Sequence, residues 1–276
     1  MAADLDQKAG TAPPASESWP VRTAKGTMAT AASLLPAHWR ITAKLEQMGN
    51  PRPHTVNFGD LRRLDPISRL YGWDRGTPVD RYYIEKFLAA NQSAIHGHVL
   101  EISENTYTKK FGGDRVTNID VLHYNDPNPP VTIVADLTDA PQIPSNTFDC
   151  AIITQTLMVI YDYNAVVETL HRALKPGGTV LVTMAGLTQI ADPDWRSTWH
   201  WGFTQSSAQR IFEDVFEGGQ VKAESFGNVL STISFLQGLA MEELTRAELE
   251  VNDPDYQMLI GVSAKKAMQP GSAVDE

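Results

Sequence analysis

Cysteine is almost absent from this 276-residue chain; Cys150 stands alone, which excludes an intramolecular disulfide and suits a reducing compartment. Long apolar runs are missing too. No stretch approaches the roughly 18–20 residues of a membrane span, so no membrane partner is expected. Basic residues are in the minority: 23 Lys and Arg face 33 Asp and Glu, a formal charge of −10. With no Lys/Arg run anywhere, nucleic acid is not an expected partner either. The stretch from Met1 to Pro20 carries Asp4 and Asp6 and has no apolar h-region, unlike a secretory signal, so a cytoplasmic protein is the default expectation. Three chemical signatures are also missing: the G-x-x-x-x-G-K-[ST] phosphate loop, the G-x-G-x-x-G dinucleotide fingerprint and the G-x-S-x-G nucleophile turn.

What is present is an ordinary globular composition, 42% hydrophobic and 20% charged, in a chain long enough for one large domain and an accessory segment. Residues 1–30 are rich in Ala, Ser, Thr, Pro and Gly and can bury too little surface to offset ordering entropy, so a disordered tail is expected there. Residues 31–91 suggest a helical cap, with its clearest helix at Tyr82–Leu88 after the Gly76-Thr77-Pro78 break; Pro78 and Asp80 suit a helix start. Residues 92–267 alternate short apolar runs with helical stretches, and residues 268–276 read as a second flexible tail. Strands are expected at His98–Ile102, Arg115–Val121, Val131–Ala135, Phe148–Thr154, Thr179–Met184, Val221–Phe226 and Met258–Ser263. A helix is expected at Asn164–Leu174, where Val166, Leu170 and Leu174 share one face. Such alternation implies an α/β fold, doubly wound around a mostly parallel seven-stranded sheet. Ligands of such sheets lie beyond the carboxyl ends of the strands, so the residues just after them carry the functional argument.

The stretch Leu170-His171-Arg172-Ala173-Leu174-Lys175-Pro176-Gly177-Gly178-Thr179 resembles the helix–turn–strand signature of class I methyltransferases. Pro176 would stop the helix and the two glycines would supply positive φ for a tight turn. Ala135-Asp136-Leu137, followed by Phe148-Asp149-Cys150-Ala151-Ile152-Ile153, resembles the same family's third and fourth strands. The resemblance implies a Rossmann-like fold and S-adenosylmethionine as cofactor. It gives Asp136 the adenine amino group, a fitting partner for an acceptor-only carboxylate, and Leu137 a backbone contact to the ring. Glu101 ends the first strand and Asp120 follows nineteen positions later, a spacing suited to binding ribose hydroxyls. Asp126 and Asp139 compete for that role but look more like turn residues. Ser103, in the first loop, and Thr154, at the end of the fourth strand, complete the expected cofactor contacts.

The first loop departs from the family pattern, because Ser103, Asn105 and Tyr107 stand where its three glycines are usual. Arg75-Gly76-Thr77-Pro78-Val79-Asp80-Arg81-Tyr82-Tyr83-Ile84-Glu85 and Tyr107–Asp114 resemble a bacterial subgroup with this glycine-poor loop, often found beside glycosyltransferases or in secondary metabolism. Arg75 or Arg81 would then hold the cofactor's carboxylate; pairing within the cap is the competing role. His96-x-His98 lacks a third ligand of recognisable spacing, so no metal is expected. Trp195, Trp199, Trp201 and Phe203 either wall a substrate pocket or pack accessory helices. Elimination leaves His200 as the candidate catalytic base: His96, His98 and His171 should point away from the site, His38 and His54 lie in the cap, and His123 lies on the ribose side. Tyr161, Asp162 and Tyr163 are the next candidates.

The expected reaction is methyl transfer to oxygen, less readily nitrogen, of a small metabolite or saccharide, with a homo-oligomer as an admissible assembly. The altered loop keeps a second reading open, a methyltransferase-fold protein that binds, scaffolds or catalyses something else.

Overall fold

The computed structural model describes residues 49–52, 54–190 and 194–268, with the side chains of residues 194 and 195 outside the description. The first expected tail, the second but for Met268, residues 31–48 and 53 of the expected cap, His38 and the Trp195 side chain therefore lie outside the described residues. The chain divides into two compact units, Met1–Arg62 and Arg63–Glu276. The described part of the first contains one short helical turn, Gly59–Leu61. The second contains the sheet, and it also contains residues 63–91, which the sequence assigns to the cap.

Helix α1 (Val79–Ala90) opens this larger unit's regular structure and buries Val79, Tyr83, Ile84, Phe87 and Leu88, a stripe at helical spacing. The strands are β1 (Gly97–Ile102), β2 (Val116–His123), β3 (Ile133–Val134), β4 (Phe148–Thr154), β5 (Leu174–Ala185), β6 (Gln220–Phe226) and β7 (Leu259–Lys265). Between them lie α2 (Tyr163–Ala173), α3 (Gln205–Val215), α4 (Val229–Leu236) and α5 (Arg246–Glu250). Strand order is β3-β2-β1-β4-β5-β7-β6, parallel throughout except for β7, which is antiparallel to both β5 and β6. This is a doubly wound, mostly parallel, Rossmann-like α/β sheet, as its alternating pattern implies. Order reverses between β1 and β4, which makes their carboxyl ends the switch point where ligands bind.

Strand periodicity sorts the core into two layers. Ala151 and Ile153 of β4 and Val180, Val182 and Met184 of β5 join the layer that holds α2 and α3. Cys150, Ile152 and Leu181 point the other way, into the layer under α1. Burial pushes the Cys150 thiol well above its ordinary range, so it packs as an inert side chain. No described helix is long and apolar enough to cross a membrane.

Two sequence expectations are corrected here. Helix α2 ends at Ala173, one residue short of the expected Leu174, and Lys175–Gly178, expected as a tight turn, form an irregular start to β5 with a register shift against β4. Only Gly177 takes positive φ, +80°. Gly178 is required for space, since a Cβ there would lie 2.9 Å from the Phe148 carbonyl oxygen. Strand β2 also runs to His123, past the expected end at Val121.

Helix α1 sits close on the sheet because β7 carries Gly261, where an added Cβ would meet the Phe87 ring at 2.6 Å. Gly261→Ala should therefore lose about 1–3 kcal/mol by overpacking and melt several degrees lower. Thermal unfolding would test this; an unchanged Tm would mean that α1 is not held at that distance by packing.

Candidate active site

The carboxyl end of β1 is shaped by a buried carboxylate. Glu101 is 1% exposed, and its two oxygens accept the backbone N–H groups of Tyr107 (3.0 Å) and Thr108 (2.7 Å). Burial raises its pKa, while these N–H groups and the Thr108 side chain pull the other way. Each carboxylate oxygen thus holds one N–H of the loop, which gives Glu101 a structural role at this strand end. Ser103 supplies the left-handed turn at φ +67° and donates its N–H to the Leu122 carbonyl at 2.8 Å. Such a φ is strained for a residue with a Cβ.

Tyr107, the bulkiest departure from a glycine-rich loop, does not fill the loop mouth. Its ring is 5% exposed and packs in the layer under α1, beside Phe111. Its hydroxyl instead accepts a 2.6 Å hydrogen bond from Arg81 Nη1. Arg81 also lies over the Trp73 ring, 5.5 Å from its centroid. The chain from Glu101 through the Tyr107 backbone to the Tyr107 hydroxyl thereby fixes a guanidinium at the first turn of α1.

Beside it, Asp80 is the feature that sequence reasoning missed. Its Oδ1 is buried and has no hydrogen-bond partner among the described residues. Burial raises the Asp80 pKa, against the neighbouring Arg81 charge and the backbone N–H groups of residues 80 and 81. A buried acceptor without a partner costs roughly 1–3 kcal/mol, more when charged, which marks a place prepared for a ligand.

Asp80 and Arg81 line a half-open cavity of about 210 Å³. Gln155, just beyond β4 at φ +49°, joins them, and its N–H is tied to the Thr183 carbonyl at 2.9 Å. The opposite wall is apolar and aromatic, with Met158, Trp199, Phe235 and Met258 among its members.

The remaining expected residues divide. Arg75 is held outside by Glu243 through Nε (3.0 Å) and Nη2, so of the two candidate arginines only Arg81 faces the cavity. Asp120 pairs with Leu100 within β2, three residues before the strand ends, and is bonded to His98 Nε2 and Thr132 Oγ1, each at 2.7 Å. Asp120 thus lies within β2 rather than after it, and His123 is the residue that ends the strand. Asp136 follows β3 and is exposed, with Oδ1 accepting from the Thr138 N–H and hydroxyl; Leu137 beside it is buried. Thr154 closes β4, but its successor Gln155 is the residue that lines the cavity. His200 is exposed, edge-on to Tyr161, and does not line the cavity. The aromatic cluster splits: Trp199 faces the cavity, whereas Trp201 donates to the Ile160 and Tyr161 carbonyls and packs against Tyr163.

Residues 97–182 match the family model of a methyltransferase domain. The match runs from β1 into β5 and so spans the switch point. A methyltransferase domain of this class implies S-adenosylmethionine as cofactor. No curated protein matches the chain. Similar solved structures include a SAM-dependent methyltransferase from Archaeoglobus fulgidus, 13% identical, TM-score 0.45, covering 67% of this chain and 94% of that one. An S-adenosylmethionine-dependent methyltransferase from Mesorhizobium loti is 18% identical, TM-score 0.46, covering 71% and 100%. The [4+2]-cyclase SpnF is 13% identical, TM-score 0.47, covering 84% and 97%.

The sequence carried one signal for Asp80, its place beside the candidate Arg81 in the Arg75–Glu85 segment. Asp80 read as a helix-start residue, which it also is.

Proposed function

We propose that this chain is an S-adenosylmethionine-dependent methyltransferase that methylates an oxygen of a small metabolite or saccharide. The observation that carries the reading is the partnerless Asp80 Oδ1 beside Arg81, in a cavity at the carboxyl ends of the central strands. An α-amino acid group carries one ammonium and one carboxylate, and this acid–base pair complements both. Asp80 Oδ1 accepts from the ammonium. Arg81, held in place by Tyr107 and Trp73, receives the carboxylate. Asp136 and the Leu137 backbone take the adenine edge at the end of β3. S-adenosylmethionine, when bound, supplies a methyl group on a positively charged sulfur. The apolar wall excludes water and aligns the acceptor for in-line displacement.

Calorimetry with S-adenosylhomocysteine tests this directly, and saturable binding is expected. Asp136→Ala should weaken that binding by roughly 1 kcal/mol, about fivefold, since one hydrogen-bond acceptor is lost at an exposed position. No binding to the wild type at millimolar concentration would end the enzymatic reading. Wild-type affinity in Asp136→Ala would remove that residue from the adenine site.

A further inference from the structure

We infer that the acceptor is a monocyclic phenol, an inference that rests on the cofactor placement above. Once the amino-acid group occupies Asp80 and Arg81, the rest of the cavity is formed mainly by Met158, Val159, Trp199, Phe235, Met258 and Leu259. Tyr71, Gln155 and Thr188 are the polar side chains left there, few for a many-hydroxyl ligand, and the Thr188 Oγ1 already donates to the Gln189 carbonyl at 3.1 Å. A saccharide would bring several hydroxyls into this apolar wall, each costing affinity when left without a partner. A flat ring with one reacting hydroxyl has no such penalty and gains the faces of Trp199 and Phe235.

Size points the same way. An apolar void of about 150 Å³ holds one benzene ring. A cavity of about 210 Å³ that also receives part of the cofactor is matched in size to one ring.

Proton chemistry supplies the third argument. No histidine or lysine lines the cavity among the described residues, and Asp80 is engaged with the ammonium. An aliphatic alcohol, with a pKa near the roughly 15.7 of water, would need a dedicated base. A phenol, with a pKa of about 10, can lose its proton to bulk water through the open mouth. The phenolate oxygen then gives an electron pair to the methyl carbon, and the carbon–sulfur bond breaks with its pair remaining on sulfur. An anion and a sulfonium thus become a neutral aryl methyl ether and a neutral thioether.

The test uses the full chain saturated with S-adenosylhomocysteine and titrated with 4-nitrophenol, followed by phenol absorbance, with glucose as the control. Saturable 4-nitrophenol binding is expected, weakened about tenfold by Trp199→Ala and largely restored in Trp199→Phe, with S-adenosylhomocysteine affinity unchanged. Saturable glucose binding without phenol binding overturns the inference, as does phenol binding indifferent to Trp199→Ala. Failure of S-adenosylhomocysteine itself to bind overturns the proposed function first and this inference with it. Methyl transfer from S-adenosylmethionine to monocyclic phenols, and not to glucose, is the matching activity readout.

Discussion

Asp80→Asn is expected to weaken S-adenosylhomocysteine binding about thirtyfold while leaving the ligand-free protein as stable as the wild type or more so. The two halves have one cause. Burial raises the Asp80 pKa above its ordinary 3.8, so the folded chain holds this proton longer than the unfolded chain does. A raised carboxyl contributes stability that is present below the unfolded pKa and is lost as pH rises through the folded pKa. Ionising this carboxyl in the ligand-free fold therefore carries a penalty, with Oδ1 left unpartnered, and a neutral amide removes that penalty. An incoming ammonium removes it too, which is where the binding energy arises. A hydrogen bond between charged groups is worth about 2 kcal/mol, or roughly thirtyfold in affinity. Wild-type affinity should fall as pH drops through the folded Asp80 pKa, and Asp80→Asn should lose that dependence. Methylthioadenosine, which has no amino-acid group, should bind wild type and variant alike. Calorimetry on both ligands with thermal unfolding of the free proteins decides the matter. Equal S-adenosylhomocysteine affinities would remove Asp80 from the site.

The order of strands and helices was legible because alternation and helical spacing are local properties. Strand β4 runs Phe148–Thr154 in the sequence pattern and in the structure alike. Ends governed by pairing were not legible. Residues 122 and 123 extend β2 because Ile133 and Val134 of β3 pair with them, and nothing within β2 itself announces that neighbour. That extension places Asp120 within the strand rather than after it. The Lys175–Gly178 stretch was recognisable by its residues, yet the need for Gly178 comes from the Phe148 carbonyl on another strand. Arg75 and Arg81 were equivalent on paper; Glu243, 168 positions away, separates them. Asp80 went unnoticed because an oxygen without a partner is a property of the packed interior. His200 was reached by elimination among histidines, and exposure, which decides against it, is set by tertiary structure.

Glu101→Leu should be the most destabilising of the substitutions considered, at roughly 3 kcal/mol, with Tm lower by about 6–12 °C. Leu fills much the same volume, so the loss is one of hydrogen bonding more than of packing. Two backbone N–H groups, of Tyr107 and Thr108, would face an apolar side chain at a position where the wild-type residue is 1% exposed. Each such orphan costs about 1–3 kcal/mol, partly offset by no longer burying a carboxyl. Glu101→Gln should stop part-way, keeping one acceptor while turning its amide donor toward the other N–H. The damage should also be local before it is global. Hydrogen exchange at the Tyr107 and Thr108 amides should accelerate more than exchange in β5, because those two N–H groups lose their only named acceptor. Tyr107 carries Arg81 by its hydroxyl, so the same substitution should weaken S-adenosylhomocysteine binding without touching the ligand. A folded Glu101→Leu variant that melts within about 2 °C of the wild type, with unchanged exchange at residues 107 and 108, would show that the loop holds its shape without the carboxylate.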